Sequence, residues 1–353
     1  MQTIKSRAPA RIDLAGGTLD LWPLHLFFDN TATLNCTIDQ YAEVTIEIGP
    51  ENAHKRSSSI TLESADRGVI HEFKSYGELL ESFQGTHKAV GLSPALWLHA
   101  RVTRHFYSLW KKPASFKLST NCAAPAGAGL GGSSALNIAL CSAYRKLTNA
   151  NLSDEDMISL ARDLETTVIE VPAGVQDYWS ALYGGVQAIR LDAGKTHRKV
   201  FLKSSEFVES HLILCYSGQS RNSGINNWAV YKGFIDKNQE IRAAFQNIVK
   251  ASYRVEESLE KKSLESFVEG VTLEWISRQK LAPTIATKDM LETIEYAKSK
   301  GALAAKVCGA GGGGCYIIVT PKEKKKEIQD LLRKRNVKLI DFKTVAGGCE
   351  VTT

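Results

Sequence analysis

The chain has 353 residues, 43% of them hydrophobic and 23% charged, a composition that fits a soluble globular protein of two domains sharing a cleft. Its formal net charge is +6, but residues 322–335, "KEKKKEIQDLLRKR", hold seven basic and three acidic residues with Ile328, Leu331 and Leu332 at helical spacing. The excess therefore reads as the solvated face of a late helix, not as a nucleic-acid surface. No apolar stretch approaches the roughly 20 residues of a membrane helix, and the N-terminus lacks the apolar run of a secretory signal. Seven scattered cysteines without a C-x-x-C pair argue against a zinc site or a disulfide framework and fit reduced thiols in a cytoplasm.

Along the chain, "ARIDLAGG" (10–17) is a short alternating strand that ends in glycines. "ATLNCTIDQYAEVTIEIGP" (32–50) is a longer one, rich in Thr, Val and Ile. "SITLES" and "GVIHEF" predict a hairpin, "ALWLHARVTRHFYSLWKK" a helix, and "ASFKLSTNCAA" a strand. A glycine-rich turn then opens the helix "SSALNIALCSAYRKLTN". The next helix begins at an N-cap, Ser153, with acidic residues in its first turn and an apolar stripe of Met157, Leu160, Ala161, Leu164 and Val168. Strands are expected at "GGVQAIRL" and "SHLILCYS". The latter half alternates helices (238–259 and 288–301) with the strands "GCYIIVT" and "VKLIDFKTV" (337–345). Strands and helices mix without strict alternation, which predicts an α+β fold, divided near residue 195 into domains 1–195 and 196–353.

The stretch "PAGAGLGGSSALNIAL" (125–140) concentrates the chemistry. A strand, then glycines, then a helix is a recipe for holding phosphate, because glycines let backbone N–H groups converge and the helix N-terminus adds positive potential. Gly127, Gly129 and Gly132 satisfy G-x-G-x-x-G literally. The dinucleotide version needs an acidic residue about 20 positions on, at the end of the next strand, where this chain has the helix cap "LSDED". A Walker loop would need a lysine, and none follows. What remains is Ser133 and Ser134 opening a helix, where hydroxyls either ligate magnesium and touch phosphate or merely cap the helix. A second run, "KVCGAGGGGCYIIV" (306–319), enters an apolar strand through four consecutive glycines. That costs conformational entropy with no packing return, so two backbone segments are expected to meet around one ligand.

These segments, with "APARIDLAGGTLDL" (8–21), resemble the three motifs of the galactokinase–homoserine kinase–mevalonate kinase–phosphomevalonate kinase superfamily, in order and over nearly the whole chain. "LAGGTLD", "LNCTIDQYAEV", "GVQDYWSALYGG" and "SGQSRNSG" are similar to the branch containing D-glycero-D-manno-heptose 7-phosphate kinase and the fucokinase domain. The resemblance implies a two-domain α+β fold. Its N-terminal domain would be like the second domain of ribosomal protein S5, its C-terminal domain would be ferredoxin-like, and ATP and acceptor would meet between them. It also implies that the segment Pro125, Gly127, Ala128, Gly129, Leu130, Gly131, Gly132, Ser133 and Ser134 wraps the triphosphate, with Gly309, Gly311 and Gly312 of the second run beside it. Ser133 and Glu165 would hold Mg2+. Asp177 would orient or deprotonate the acceptor hydroxyl, Arg11 would stabilise charge on the phosphoryl group, and Asp20 with Gly16 and Gly17 would face the sugar.

Each role has a plainer reading. Glu165 borders the apolar stripe of its helix and either snorkels outward or is held inward by a cation; Asp177 is either a desolvated base or a turn aspartate capping the next helix. An arginine pointing inward from a strand needs an anion, and for Arg11 a carboxylate serves as well as a phosphate. A second phosphate on the acceptor would need a further cation, with His25, His87, Lys88 and Arg221 as candidates and Arg221 the first choice. The chain departs from its relatives in having Gly132 for a serine, Cys308 for a threonine or serine, and "AGGTLD" for "AGGGTD". The reaction expected is in-line transfer of the γ-phosphoryl group of Mg-ATP to a sugar hydroxyl, the anomeric one first, in a cytoplasmic monomer or homodimer without nucleic-acid or membrane partners. A catalytically inactive sugar sensor and an NAD(P)-dependent oxidoreductase are the competing classes.

Overall fold

The two long N-terminal strands pair with two shifts of register. In the computed structural model, which describes residues 2–49, 58–111, 114–219, 224–281, 284–309 and 311–353, β1 (Gln2–Ala15) and β2 (Ala32–Ile48) pair antiparallel from Gln2 opposite Ile48 to Ala15 opposite Leu34. Pro9 has no N–H for the ladder, and the register shifts between Pro9 and Ala10, then again between Asp13 and Ala15. The Arg11 N–H donates to the Leu130 carbonyl at 2.8 Å. That bond ties the first strand to the glycine loop.

β3 (Ile60–Ser64) and β4 (Val69–Phe73) form the expected hairpin, and β5 (Phe116–Cys122) lies antiparallel to β2 and parallel to β3. Between them come α1 (Tyr76–Ser82) and α2 (Trp97–Tyr107). α3 (Gly132–Thr148), α4 (Asp154–Ile169) and α5 (Gln176–Tyr183) follow, with α3 packed between β1, β2 and the other helices. Ser153 caps α4 as expected, its Oγ accepting from the Asp156 N–H. β6 (Val186–Asp192) pairs with β2 and with β7 (Lys195–Val200), so the division expected at 195 falls at the turn of a hairpin whose second strand stays with the first sheet.

The second half runs α6 (Ser205–His211), β8 (Leu212–Tyr216), α7 (Gly224–Ile235), α8 (Gln239–Lys261), α9 (Leu264–Leu281) and α10 (Lys288–Ser299). β9 (Ala304–Val307), β10 (Cys315–Val319), α11 (Lys325–Lys334), β11 (Lys338–Ile340) and β12 (Glu350–Thr352) complete it. The order β11-β8-β10-β9, antiparallel throughout, is the ferredoxin-like arrangement, with α10 and α11 packed on it. The strand expected over 337–345 is only three residues long. Past Phe342 the chain leaves this sheet, bonds to β2 through Thr37 and Val345, and ends as β12 on the edge of β1.

The fold is therefore α+β in two sheets. β5, the glycine loop and α3 sit in a mixed sheet ordered β12-β1-β2-β5-β3-β4, so the dinucleotide fingerprint lacks the doubly wound parallel sheet in which it works. Among the described residues, no helix is long and apolar enough to cross a membrane.

Candidate active site

A cleft of about 750 Å³ opens in the N-terminal half, lined on one side by the loop joining β5 to α3 and reached from the second half by Arg278 and Gly309. Gly127, Gly129 and Gly131 hold φ of 69°, 76° and 69°, the left-handed region that a Cβ disfavours. Gly131 is the N-cap of α3 and supplies no side-chain cap. The first-turn N–H groups are thus left for a ligand, as at helix N-termini that bind anions. The serines do not cap: Ser133 and Ser134 lie inside the first turn, and Ser134 Oγ donates to Glu165 Oε2 at 3.1 Å. Pro125, Gly127, Ala128, Gly129, Gly131, Gly132, Ser133 and Ser134 all line the cleft. Leu130 instead points into the core and offers its carbonyl to Arg11.

Glu165 faces inward from α4 and is 5% exposed. Tyr178 of α5 donates to the same Oε2 at 2.7 Å. Burial pushes the Glu165 carboxyl above its ordinary range, against hydrogen bonds from Ser133, Tyr178 and Ser134 that pull it down. Burial, then the Glu165 charge, raises Tyr178 well above the usual phenol, which keeps it a donor. Among the described residues no group of three or more His, Cys, Asp or Glu could cage a metal. A single buried carboxylate beside hydroxyls, by contrast, is the set that holds Mg2+ when phosphates and water complete its shell.

Asp177, at the start of α5, meets Arg11 from β1. Arg11 Nη2 is 2.5 Å and Nε 2.8 Å from Asp177 Oδ1, while Nη1 donates to the Gly129 carbonyl at 2.7 Å. Arg11 is buried and Asp177 a quarter exposed toward the cleft. Burial opposes the guanidinium charge, but Asp177 and Asp13 outweigh it and the Arg11 pKa rises. The carboxylate also packs on the phosphate loop: a Cβ on Gly131 would lie 3.1 Å from Asp177 Cγ. Asp177 is thus no helix cap, and the anion that Arg11 faces is a carboxylate.

Asp20 completes this end. Its Oδ2 accepts the Gln176 N–H at 3.0 Å, and a Cβ on Gly174 would fall 1.9 Å from that oxygen, so α5 and its approach close tightly over it. Burial pushes its carboxyl up to about 6, against the Gln176 N–H, and the nearby Asp177 charge adds to the rise. Gly16 and Gly17 lie behind the wall: the Gly16 N–H donates to Glu274, and Gly17 backs onto Asp13 and Arg278. Of the second glycine run, Gly309 lines the cleft, whereas the Gly312 N–H donates to the Ile285 carbonyl and a Cβ on Gly311 would meet that carbonyl at 2.2 Å.

At the far end the lining is apolar (Pro94, Trp97, Leu98, Val168, Ile169), with Arg67 and Lys88 beside it. Lys88 sits 4.9 Å over the Trp97 ring and pairs with Glu170 at 2.8 Å. His25 and His87 are not part of the lining, and Arg221 lies outside the described residues. Tyr178, Gln176 and Arg278 are site residues that motif reading does not single out. They were detectable only as polar positions in otherwise apolar surroundings.

A glycine cradle at a helix N-terminus, a buried carboxylate and hydroxyls for a cation, and an arginine-held aspartate touching the cradle define a phosphotransferase cleft. The comparisons give the family. The GHMP kinases N terminal domain matches residues 97–185 and the GHMP kinases C terminal domain residues 255–338, so the chain belongs to the GHMP kinases, an ATP-dependent kinase family. It is 26% identical over 356 residues to the D-glycero-alpha-D-manno-heptose 7-phosphate kinase of Campylobacter jejuni, covering 99% of this chain and 98% of that one. It is 29% identical to the mevalonate kinase of Pyrococcus furiosus over 69% of this chain and 67% of that protein. In fold it is similar to a D-glycero-D-manno-heptose 1-phosphate kinase from Bacteroides thetaiotaomicron, with a TM-score of 0.73, 22% identity and 99% of each chain covered. It is also similar to Lactococcus lactis galactokinase complexed with galactose, with a TM-score of 0.73, 15% identity, and 99% of this chain and 95% of that one covered.

Proposed function

We propose that this protein transfers the γ-phosphoryl group of Mg-ATP to a sugar hydroxyl, the anomeric hydroxyl of a heptose 7-phosphate or a closely related sugar. The observation that carries the reading is the contact of Asp177 with the phosphate loop. A carboxylate fixed by Arg11 against Gly131 stands where an acceptor hydroxyl and a cradled phosphate would meet. The full-length similarity to a heptose 7-phosphate kinase supports the acceptor class.

The residues divide the work. The backbone of 125–134 holds the triphosphate, and the apolar far end, with Trp97, Val168 and Ile169, suits a purine. Ser133 and Glu165 would hold Mg2+, which supplies neutralisation of phosphate charge when bound. Asp177 Oδ1 is engaged by Arg11, and Oδ2 is left to accept the acceptor's hydroxyl proton as that oxygen attacks. Arg11 orients Asp177, and its hold on the Gly129 carbonyl fixes the loop. Asp20, ionised, accepts hydrogen bonds from the sugar's neighbouring hydroxyls. Transfer is direct, with no phosphoenzyme, and rests on positioning and charge neutralisation.

The test is an ADP-coupled screen of heptose 7-phosphate, fucose, galactose and mannose with Mg-ATP, the product located by phosphorus NMR. The expected result is turnover on the heptose phosphate with phosphate on C1. ATP binding without turnover on any sugar would leave the sensor reading, and transfer to another hydroxyl would overturn the anomeric assignment.

A further inference from the structure

Behind the cleft wall lies a second set of charges, buried more deeply than the first. Asp13 of β1, Glu274 and Arg278 of α9 and Lys306 of β9 have side chains 0–1% exposed. Lys306 Nζ is 3.1 Å from Asp13 Oδ2 and 2.8 Å from Glu274 Oε1. Arg278 places Nε 2.7 Å from Glu274 Oε1 and Nη2 3.2 Å from Asp13 Oδ2. Two cations and two anions cancel, which is the condition for keeping four charges out of water. Burial works against each charge, but for Asp13 the cations Lys306, Arg278 and Arg11 win and its carboxyl falls below the ordinary range. For Arg278 the carboxylates of Glu274 and Asp13 win and its pKa rises.

The quartet has one arm into each half of the site. Arg278 Nη1 donates to the Gly309 carbonyl at 2.9 Å, and Gly309 packs on Gly129, where a Cβ would stand 3.2 Å from the Gly129 Cα. Glu274 Oε2 accepts the Gly16 N–H at 2.6 Å, and Gly16 opens the segment that runs to Asp20. One buried cluster therefore holds the loop that abuts the phosphate cradle and the segment that carries the acceptor carboxylate. Arg278 reaches the cleft wall with its Nε, Nη1 and Nη2 all engaged, so its effect on a ligand passes through what it holds.

We propose that Arg278 is a positioning residue for phosphoryl transfer: with Asp13, Glu274 and Lys306 it sets the distance between the two glycine loops and the 16–20 segment. This rests on the kinase reading above. A cluster that served only folding would lower stability when disturbed and leave turnover per folded molecule unchanged. A positioning cluster loses turnover first, because small displacements of reacting groups are costly to rate.

The experiment compares the full chain with Arg278→Met, Arg278→Lys, Gly17→Ala and Glu256→Gln. It uses ADP release from Mg-ATP and D-glycero-D-manno-heptose 7-phosphate, affinity for a non-hydrolysable ATP analogue, and thermal unfolding. Gly17→Ala removes no charge but puts a Cβ 2.3 Å from Arg278 Nη2 and 2.5 Å from Asp13 Oδ2, so the guanidinium must move. Glu256 is the control. It is a buried partner of Arg190 at 2.5 Å and Lys199 at 3.0 Å, and none of the three lines the cleft.

Expected are kcat losses of about 100-fold for Arg278→Met and Gly17→Ala with analogue affinity within about threefold, and recovery of at least about tenfold in Arg278→Lys relative to Arg278→Met. Glu256→Gln should lower the melting temperature and keep kcat within about twofold. A folded Arg278→Met at near-parent kcat overturns the proposal, as does an equal loss in the lysine and methionine variants or a matching kcat loss in Glu256→Gln. Should Arg278→Met not fold, Gly17→Ala alone decides, and its near-parent kcat overturns the proposal. An unsubstituted chain that releases no ADP overturns the heptose 7-phosphate reading and this proposal together, whereas an active chain with indifferent variants overturns this proposal alone.

Discussion

The two glycine-rich loops use the same residue for opposite ends. In the first, Gly127, Gly129 and Gly131 take left-handed φ so that the backbone can turn toward the cleft, and nine of residues 125–134 line it. In the second, Gly311 presses on the Ile285 carbonyl and Gly314 on the Ala128 carbonyl, and among its described residues Gly309 alone reaches the lining. Glycine in the first loop turns the backbone along the cleft, with Gly129 also fitted against the Cys308 carbonyl, where a Cβ would stand at 2.6 Å, and in the second it makes room for other backbone. Two adjacent glycine runs therefore do not mean two ligand-gripping loops. Here one lines the cleft, and the other braces it through the Cys315 N–H bond to the Ala128 carbonyl at 2.7 Å.

The strongest way to sharpen this contrast is Asp177→Asn, which keeps shape and removes the charge that faces the first loop. A loss in kcat of about 10³-fold with nucleotide affinity within about threefold is expected, read by steady-state kinetics and titration calorimetry. Gly131→Ala should come next. Its methyl combines left-handed backbone with contact on the Asp177 carboxylate, and a loss of about 10²-fold in kcat with only a small change in melting temperature is expected. The same substitution in the bracing loop should reverse the pattern. Gly311→Ala, at φ 71° with its Cβ 2.2 Å from the Ile285 carbonyl, is expected to cost about 2–4 kcal/mol in denaturant unfolding and to leave kcat of the folded fraction within about threefold. If Gly311→Ala instead abolished turnover in a stable protein, both loops would be ligand loops.

The smallest effect is one of pH. Burial pushes Asp20 up to about 6, so its ionised form, which accepts from the acceptor, is half lost at that pH. The acceptor KM should rise roughly twofold at pH 6 relative to pH 8 and further below it, with the KM for ATP flat, and Asp20→Asn should remove the dependence. The sign for folding follows from the same shift. A carboxyl raised above its unfolded value is, when ionised, a cost at neutral pH, and that cost is relieved as the pH falls through about 6.

Local pattern carried much of the architecture. The cap at Ser153, the apolar stripe of α4 and the alternating strands are short-range features, and α4, α8 and α10 lie within a few residues of where spacing places them. α9 lacks a clear apolar stripe, because it is covered on more than one side and carries buried Glu274 and Arg278 among apolar residues. The Asp in "ARIDLA" and the Lys in "AAKVC" were the available signals. A charge inside a buried strand requires a partner, but nothing in the spacing says that Asp13 and Lys306, 293 positions apart, are that pair.

By itself, the sequence determined that a glycine-rich loop opens a helix, that Arg11 and Glu165 are charges set against apolar faces and in need of partners, and that the fold is α+β. Backbone freedom, capping and period are written in neighbouring residues, so these could be read locally. Only the tertiary structure decided that Arg11 spends itself on Asp177 and Gly129, that Gly311 and Gly312 brace while the first loop lines the cleft, and that a buried quartet ties the two halves together. Burial and charge pairing depend on which distant segments meet, and that is fixed by packing of the whole chain.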